Sequence, residues 1–144
     1  MTIQLQKVRF AYPDAPQKPV LDIPHWAVAE GEQIFVHGPS GGGKSTLLNL
    51  LSGILHTHRG EVSVLGERLD QMSNRRRDRF RANNIGYVFQ QFNLIPYLDA
   101  IDNIRLAAHF GPTGQAALEK QTNELLAPLG IRCDDRHHPS VRRG

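Results

Sequence analysis

Apolar and polar positions change period several times along the chain, and each change predicts an element. Ile3 and Leu5 alternate with polar neighbours, the parity shifts to Val8 and Phe10, and the pattern predicts a strand. "AYPDAPQKP" then supplies three prolines and an aspartate, which predict a loop. A second strand is predicted in "VLDIPHWAVA" and a turn at Gly31 and Glu32. A third strand follows in "QIFVHG", short and apolar like a strand buried on both faces. Leu47, Leu48, Leu50, Leu51, Ile54 and Leu55 recur at helical spacing, with Gly53 weakening the last turn. "GEVSVLGERL" reads as a strand with a turn at Gly66, and "SNRRRDRFRAN" as a short helix capped by Ser73. "NIGYVFQQ" returns to strand character before "FNLIPYL" interrupts it. Helices are predicted over Ile101 to His109 and Gln115 to Ala127, separated by "FGPTG".

Between the third predicted strand and the first predicted helix lies "HGPSGGGKST", His37 to Thr46, with four glycines in ten residues. Gly38, four intervening residues, Gly43, Lys44 and Ser45 fit the phosphate-loop pattern. Glycines let successive backbone N–H groups point inward, and with the helix N-terminus they make a concave site for phosphate oxygens. Lys44 adds a point charge for the β- and γ-phosphates, and the Ser45 hydroxyl suits Mg²⁺. Thr46 supplies a further hydroxyl near the α-phosphate. Pro39, Ser40, Gly41 and Gly42 complete the loop. A strand, a glycine loop and a helix in succession predict a doubly wound α/β core with the nucleotide at the carboxyl end of a strand.

Composition adds limits. With 144 residues one domain is expected, and 40 % hydrophobic with 22 % charged residues is the balance of a soluble globular chain. No apolar run nears the roughly 18 residues of a membrane span, and "MTIQLQKVRF" lacks the features of a secretory signal. Cys133 is the single cysteine, so neither an internal disulfide nor a cysteine cluster for metal is available. These features suggest a cytoplasmic location. A net charge of +3 gives no argument for a nucleic-acid partner, and none is expected.

Three stretches, "GPSGGGKSTLLNLLSGIL", "GEVSVLGERL" and "NIGYVFQQFNLIPYLDAIDNI", together resemble the nucleotide-binding subunits of ATP-binding cassette (ABC) transporters. The resemblance is nearest to the group serving lipoprotein release and macrolide-type export, and runs from Ile3 to about Pro139. It implies a P-loop NTPase fold of the ABC type: an α/β core with an antiparallel β subdomain over residues 1–90, and the Q-loop with a partial helical subdomain over residues 91–144. Gly38 to Thr46 corresponds to the Walker A loop. Gln90, after "YVF", corresponds to the Q-loop glutamine that touches Mg²⁺ and the attacking water, with Gln91 beside it as the other choice. Tyr12 corresponds to the aromatic residue that stacks on adenine, its alternative being an ordinary loop tyrosine. Phe92, Leu94, Ile95, Tyr97 and Leu98 correspond to the region that receives a permease, or else simply pack their own subdomain. The implied cofactors are ATP and Mg²⁺. The implied partners are a membrane permease, which holds the subunit at the inner face of the membrane, and a second nucleotide-binding subunit.

The resemblance also shows what these 144 residues lack. "HHPSVRRG" approaches the place of the signature sequence without containing it, and no "LSGG" occurs. No apolar strand followed by Asp and Glu supplies the Walker B aspartate and the catalytic glutamate, and the switch histidine is missing too. The chain is therefore expected to be the amino-terminal part of a longer subunit, whose parent is an ATPase, and to be inactive alone. Two further readings stay open: a non-catalytic ATP-binding or regulatory module, and a soluble ABC ATPase of DNA repair or translation. "RRRDRFR" is expected to face water and the histidines at 56, 58, 137 and 138 not to bind metal, while His37 is expected to be packed rather than catalytic.

Overall fold

The computed structural model describes residues 2–90, 93–109 and 115–129. The chain divides into two compact units, residues 1–81 and 82–144.

The first unit is built on a four-stranded sheet in the order β2-β1-β3-β4, with every pairing antiparallel. β1 (Ile3–Phe10) lies between β2 (Leu21–Val28) and β3 (Glu61–Val64), and β4 (Glu67–Arg68) completes the other edge. With partners on both sides, β1 supplies Leu5 and Val8, both fully buried at 0 % exposure. These two residues are three apart rather than two because Lys7 between them has φ 50, and one left-handed residue turns the alternation over. The parity shift in the sequence is this feature. Gly60 lies against the Lys7–Val8 backbone, where a Cβ would overlap the Lys7 carbonyl, and its φ of 85 suits glycine alone. Pro24 is placed on β2, an edge strand, where a missing N–H costs no ladder bond on the open side.

The predicted turn at Gly66 joins β3 to β4 as a two-residue hairpin, and a 3-10 turn follows at Leu69–Gln71. Arg68 locks this corner: Nε donates to Asp70 Oδ1 at 2.9 Å and Nη2 to Oδ2 at 2.7 Å. The Val62 N–H also donates to Oδ1, at 2.9 Å. Burial pushes the Asp70 carboxyl up, but the hydrogen bonds from Arg68 and Val62 outweigh it and hold the group below its ordinary value.

Helix α1 (Lys44–Leu51) sends Leu50 into the cluster formed by Val62 and Leu69. It ends earlier than the leucine spacing predicts: Ser52 is its C-cap and Gly53 turns left-handed at φ 73, so Ile54 and Leu55 leave the helix. Helix α2 (Asn74–Asn84) begins where expected, with the Arg76 N–H donating to Ser73 Oγ at 3.4 Å, and buries Arg77 and Phe80.

Two predicted strands are absent. "QIFVHG" forms no ladder, and Phe35 is 87 % exposed. "NIGYVFQQ" forms none over its described residues, and Val88 is 95 % exposed. Apolarity makes a segment suited to a sheet, but a strand exists only where another strand offers N–H and C=O groups at its edge. The described strands find antiparallel partners within one sheet. Parallel strands need crossover connections, and no parallel pair occurs among the described residues.

In the second unit α3 (Ala100–His109) packs against α4 (Gln115–Leu126), which runs into a 3-10 turn at Ala127–Leu129. Asp99 opens α3 by accepting the Asp102 N–H at 2.7 Å. No described helix is long and apolar enough to cross a membrane.

Candidate functional site

The loop before α1 owes its shape to a glycine that two constraints require. Gly43 is the N-cap of α1 at φ 81, and a Cβ there would come within 2.9 Å of the Val20 carbonyl oxygen and 3.0 Å of Leu21 Cδ2. The loop is thus pressed against the start of β2, and glycine alone meets both the backbone angle and the space. A turn upstream is closed by the Gly42 N–H donating to the Pro39 carbonyl at 3.1 Å. Lys44 folds back over this turn, its Nζ donating to the carbonyls of Gly38 at 2.8 Å and Pro39 at 2.7 Å. One of its three N–H donors stays available.

Helix geometry adds the electrostatics. The first N–H groups of α1 have no partner four residues back, and the aligned peptide dipoles place roughly half a positive charge at that end. The first turn of α1 holds no acidic residue to neutralise it. Ser45, in that turn, is exposed, and its hydroxyl makes no hydrogen bond among the described residues. Thr46 is buried, with Oγ1 3.0 Å from the Tyr12 hydroxyl. Tyr12 also meets Phe10 edge to face, with ring centroids 5.1 Å apart. The first unit therefore brings together Tyr12 and Gly38, Pro39, Ser40, Gly41, Gly42, Gly43, Lys44, Ser45 and Thr46: one cationic side chain, unpaired N–H groups, the hydroxyls of Ser40, Ser45 and Thr46, and an aromatic ring. This is a cradle of donors for a multiply charged anion.

Gln90 belongs to the second unit, exposed and outside any element. Gln91 and Phe92 lie outside the described residues. Of the apolar cluster expected to meet a permease, Tyr97 is 86 % exposed and Leu94 is exposed, while Ile95 and Leu98 are half-buried. Their loop is fastened to α3 by Asn103. Its Nδ2 lies 3.1 Å from the Leu98 carbonyl and 2.9 Å from that of Asp99, and its Oδ1 accepts the Ile95 N–H at 2.8 Å. Sequence reasoning missed Asn103. An asparagine inside a predicted helix, where it is a poor helix former, was the available signal. It also missed the Tyr12 to Thr46 contact, which joins residues 34 positions apart. Among the described residues no group of three His, Cys, Asp or Glu is placed to hold a metal.

Residues 21–142 match the family model described as ABC transporter. The chain is 39 % identical over 117 residues to the uncharacterized ABC transporter ATP-binding protein YbbA of Escherichia coli K12, covering 81 % of this chain and 51 % of that protein. It is 36 % identical over 126 residues to the lipoprotein-releasing system ATP-binding protein LolD of Xanthomonas oryzae pv. oryzae, covering 88 % of this chain and 52 % of the relative. Among solved structures, the dimeric ATP-binding cassette MJ0796 in a post-hydrolysis state bound to ADP and Pi superposes with a TM-score of 0.81 at 28 % identity. That match covers 99 % of this chain and 63 % of the other. The chain thus spans about half the length of these sequence relatives. The expected P-loop fold of the ABC type is therefore correct, although two of its predicted strands are unpaired here, and the chain belongs to the ABC transporter family.

Proposed function

We propose that Gly38 to Thr46 hold the phosphates of ATP, that Tyr12 stacks on the base, and that the parent subunit uses this site to drive export or lipoprotein-type extraction through a separate membrane permease. The observation that carries the reading is the Lys44 ammonium resting on the Gly38 and Pro39 carbonyls, which keeps the loop closed and its N–H groups gathered at the start of α1. Unlike a solvated surface lysine, Lys44 needs only to turn its free donor toward a phosphate oxygen. The helix N-terminus supplies the remaining attraction.

The exposed, unpartnered hydroxyl of Ser45 fits Mg²⁺, with Gln90 as the second protein ligand. A bound Mg²⁺ would supply positive charge beside the phosphates that Lys44 and the helix N-terminus would hold. Gln90 also orients the attacking water, its amide being able to accept from water while it reports on the γ-phosphate. We place the junction between the nucleotide-binding core and the helical subdomain near residue 90. Tyr97 and Leu94 offer an apolar face to the permease, which holds the subunit at the inner side of the membrane, and a second subunit completes the catalytic site.

These 144 residues contain no acid after an apolar strand to anchor Mg²⁺ or activate water. The chain by itself is accordingly assigned ATP binding without turnover. The test is titration of a non-hydrolysable ATP analogue with Mg²⁺. Lys44→Ala is expected to weaken binding by about tenfold or more, the loss of a charge-assisted hydrogen bond. Equal affinity in the variant would refute the loop assignment, and Lys44-dependent ATP turnover would refute the assignment of binding alone.

A further inference from the structure

We infer that the exposed arginines of α2 form a docking surface for the phosphate headgroups of anionic lipids, so that this helix touches the membrane itself. The inference rests on the permease reading, which brings the subunit to the bilayer, and adds a contact that the permease does not make.

Charge is concentrated on α2. Asn74 to Arg81 holds five arginines and one aspartate, a net +4, against +3 for the whole chain, so the remainder is slightly negative. The helix is a fixed platform for this charge. Arg77 and Phe80 are buried, the Arg77 Nη2 donates to Asn74 Oδ1 at 2.6 Å, and the Arg81 Nη1 donates to the Gly53 carbonyl at 3.4 Å.

What separates these arginines is whether an acid meets them. Arg68 is paired with Asp70 at 2.7 Å, Arg76 with Glu67 at 2.9 Å and Arg81 with Asp78 at 2.9 Å. Arg75 and Arg79 are exposed and make no hydrogen bond or ion pair among the described residues. Four positions apart, they stand on the same face of α2, about 6 Å from each other along the axis. Like charges at this spacing weaken a helix, so the pair contributes nothing to the stability of the fold. Arg76 is a third contributor, because its ion pair joins two exposed side chains and is worth little in water. Guanidinium groups keep their charge at any physiological pH, and their planar forks match phosphate oxygens.

The geometry favours a lipid surface over a nucleic acid. Duplex binders neutralise several phosphates along a backbone, commonly about 6–10, whereas two free guanidiniums one turn apart reach few. A leaflet is flat, and its lipids diffuse sideways to gather beneath a small patch. The exposed residues of α2 are all asparagine, arginine or aspartate, so the contact is electrostatic adsorption without apolar insertion. Each arginine near an anionic leaflet strengthens binding roughly fivefold, and the pair about thirtyfold. That is too little to recruit the chain from solution at physiological salt, and enough to orient a subunit that a permease already holds.

Low salt makes the contact measurable on the 144-residue chain alone. The experiment is co-sedimentation with vesicles of phosphatidylcholine containing about one third phosphatidylglycerol, against vesicles of phosphatidylcholine only, at about 0.02 M and about 0.3 M salt. Binding to the anionic vesicles alone is expected, with loss at the higher salt. The double variant Arg75→Gln with Arg79→Gln is expected to bind about thirtyfold more weakly. Both side chains are exposed, and glutamine is a good helix former, so the variant keeps its fold. Lys18→Gln with Arg59→Gln removes the same net charge from other exposed positions and is expected to change binding far less. Absence of binding to the anionic vesicles, binding that survives the higher salt, or equal losses in the two double variants would overturn the proposal. Tighter binding of a short DNA duplex than of the vesicles, with the same dependence on Arg75 and Arg79, would overturn the choice of a lipid surface. Affinity for the ATP analogue should be equal in the parent chain and the Arg75, Arg79 variant, so failure here is distinguishable from failure of the Lys44 assignment.

Discussion

Residues 61–64 and 33–37 are two short, β-prone apolar stretches of the same unit with opposite fates. Val62 and Val64 of the first lie buried in the sheet beside β1, whereas Ile34 and Phe35 of the second are exposed and unpaired. Propensity does not separate them, since "QIFVHG" is the more apolar of the two. What separates them is a partner: β3 pairs with β1, and residues 33–37 pair with no described strand. The phosphate loop follows the unpaired stretch directly, yet its shape comes from elsewhere. Gly43 rests against Val20 and Leu21 at the start of β2, and Thr46 meets Tyr12 after the end of β1. The cradle is therefore anchored to the antiparallel sheet rather than to the strand that leads into it.

Leu5→Ala against Phe35→Ser is the widest test of that contrast. Truncating Leu5 in the packed sheet is expected to cost about 2–5 kcal/mol. Phe35→Ser, at an exposed position, is expected to stay within about 0.5 kcal/mol. Urea denaturation of both variants measures the gap, and similar costs would mean that residues 33–37 are packed after all.

The second test compares glycines in the loop itself. Gly43→Ala places a Cβ against the Val20 carbonyl at φ 81 and is expected to cost about 1–3 kcal/mol and to weaken binding of the ATP analogue. Gly41→Ala meets open space at φ 78, so only the left-handed strain of about 1–2 kcal/mol remains. A larger loss at Gly41 than at Gly43 would show that the loop does not lean on β2.

A third test titrates the β3–β4 corner. The Asp70 carboxyl lies below its ordinary value in the folded chain, so its contribution is complete above the unfolded value, near 3.8, and is lost as pH falls through the depressed folded one. Asp70→Asn is expected to cost about 1–3 kcal/mol at neutral pH through weakened bonds to Arg68 and Val62. The urea midpoint of the variant should also fall less steeply than that of the parent chain on acidification below pH 4. Parallel pH profiles would remove Asp70 from the account.

Local pattern carried the elements whose partners lie nearby. The parity shift between Leu5 and Val8, the turn at Gly66, the Ser73 cap and both helices of the second unit could be read because turn chemistry, capping and periodicity act over a few residues. The phosphate loop was legible for the same reason, since spacing and residue type encode it within ten positions. Two kinds of feature were not. The strand state of residues 33–37 depends on another strand, which periodicity does not report. Contacts such as Tyr12 with Thr46, or Asn103 with the carbonyls of Leu98 and Asp99, depend on chain geometry that residue type alone does not fix. In particular, the sequence assigned Tyr12 a ring to stack, and the structure adds a hydroxyl that reaches the helix of the loop.

Amide hydrogen exchange with and without Mg²⁺ and a non-hydrolysable ATP analogue tests most directly the claim that a sheet-anchored loop holds the nucleotide. Without nucleotide, the amides of β1 and β3 should exchange slowly and those of residues 33–36 fast. With nucleotide, protection should rise across residues 41–47 while residues 33–36 continue to exchange fast. Protection of residues 33–36 without any change at residues 41–47 would contradict the account.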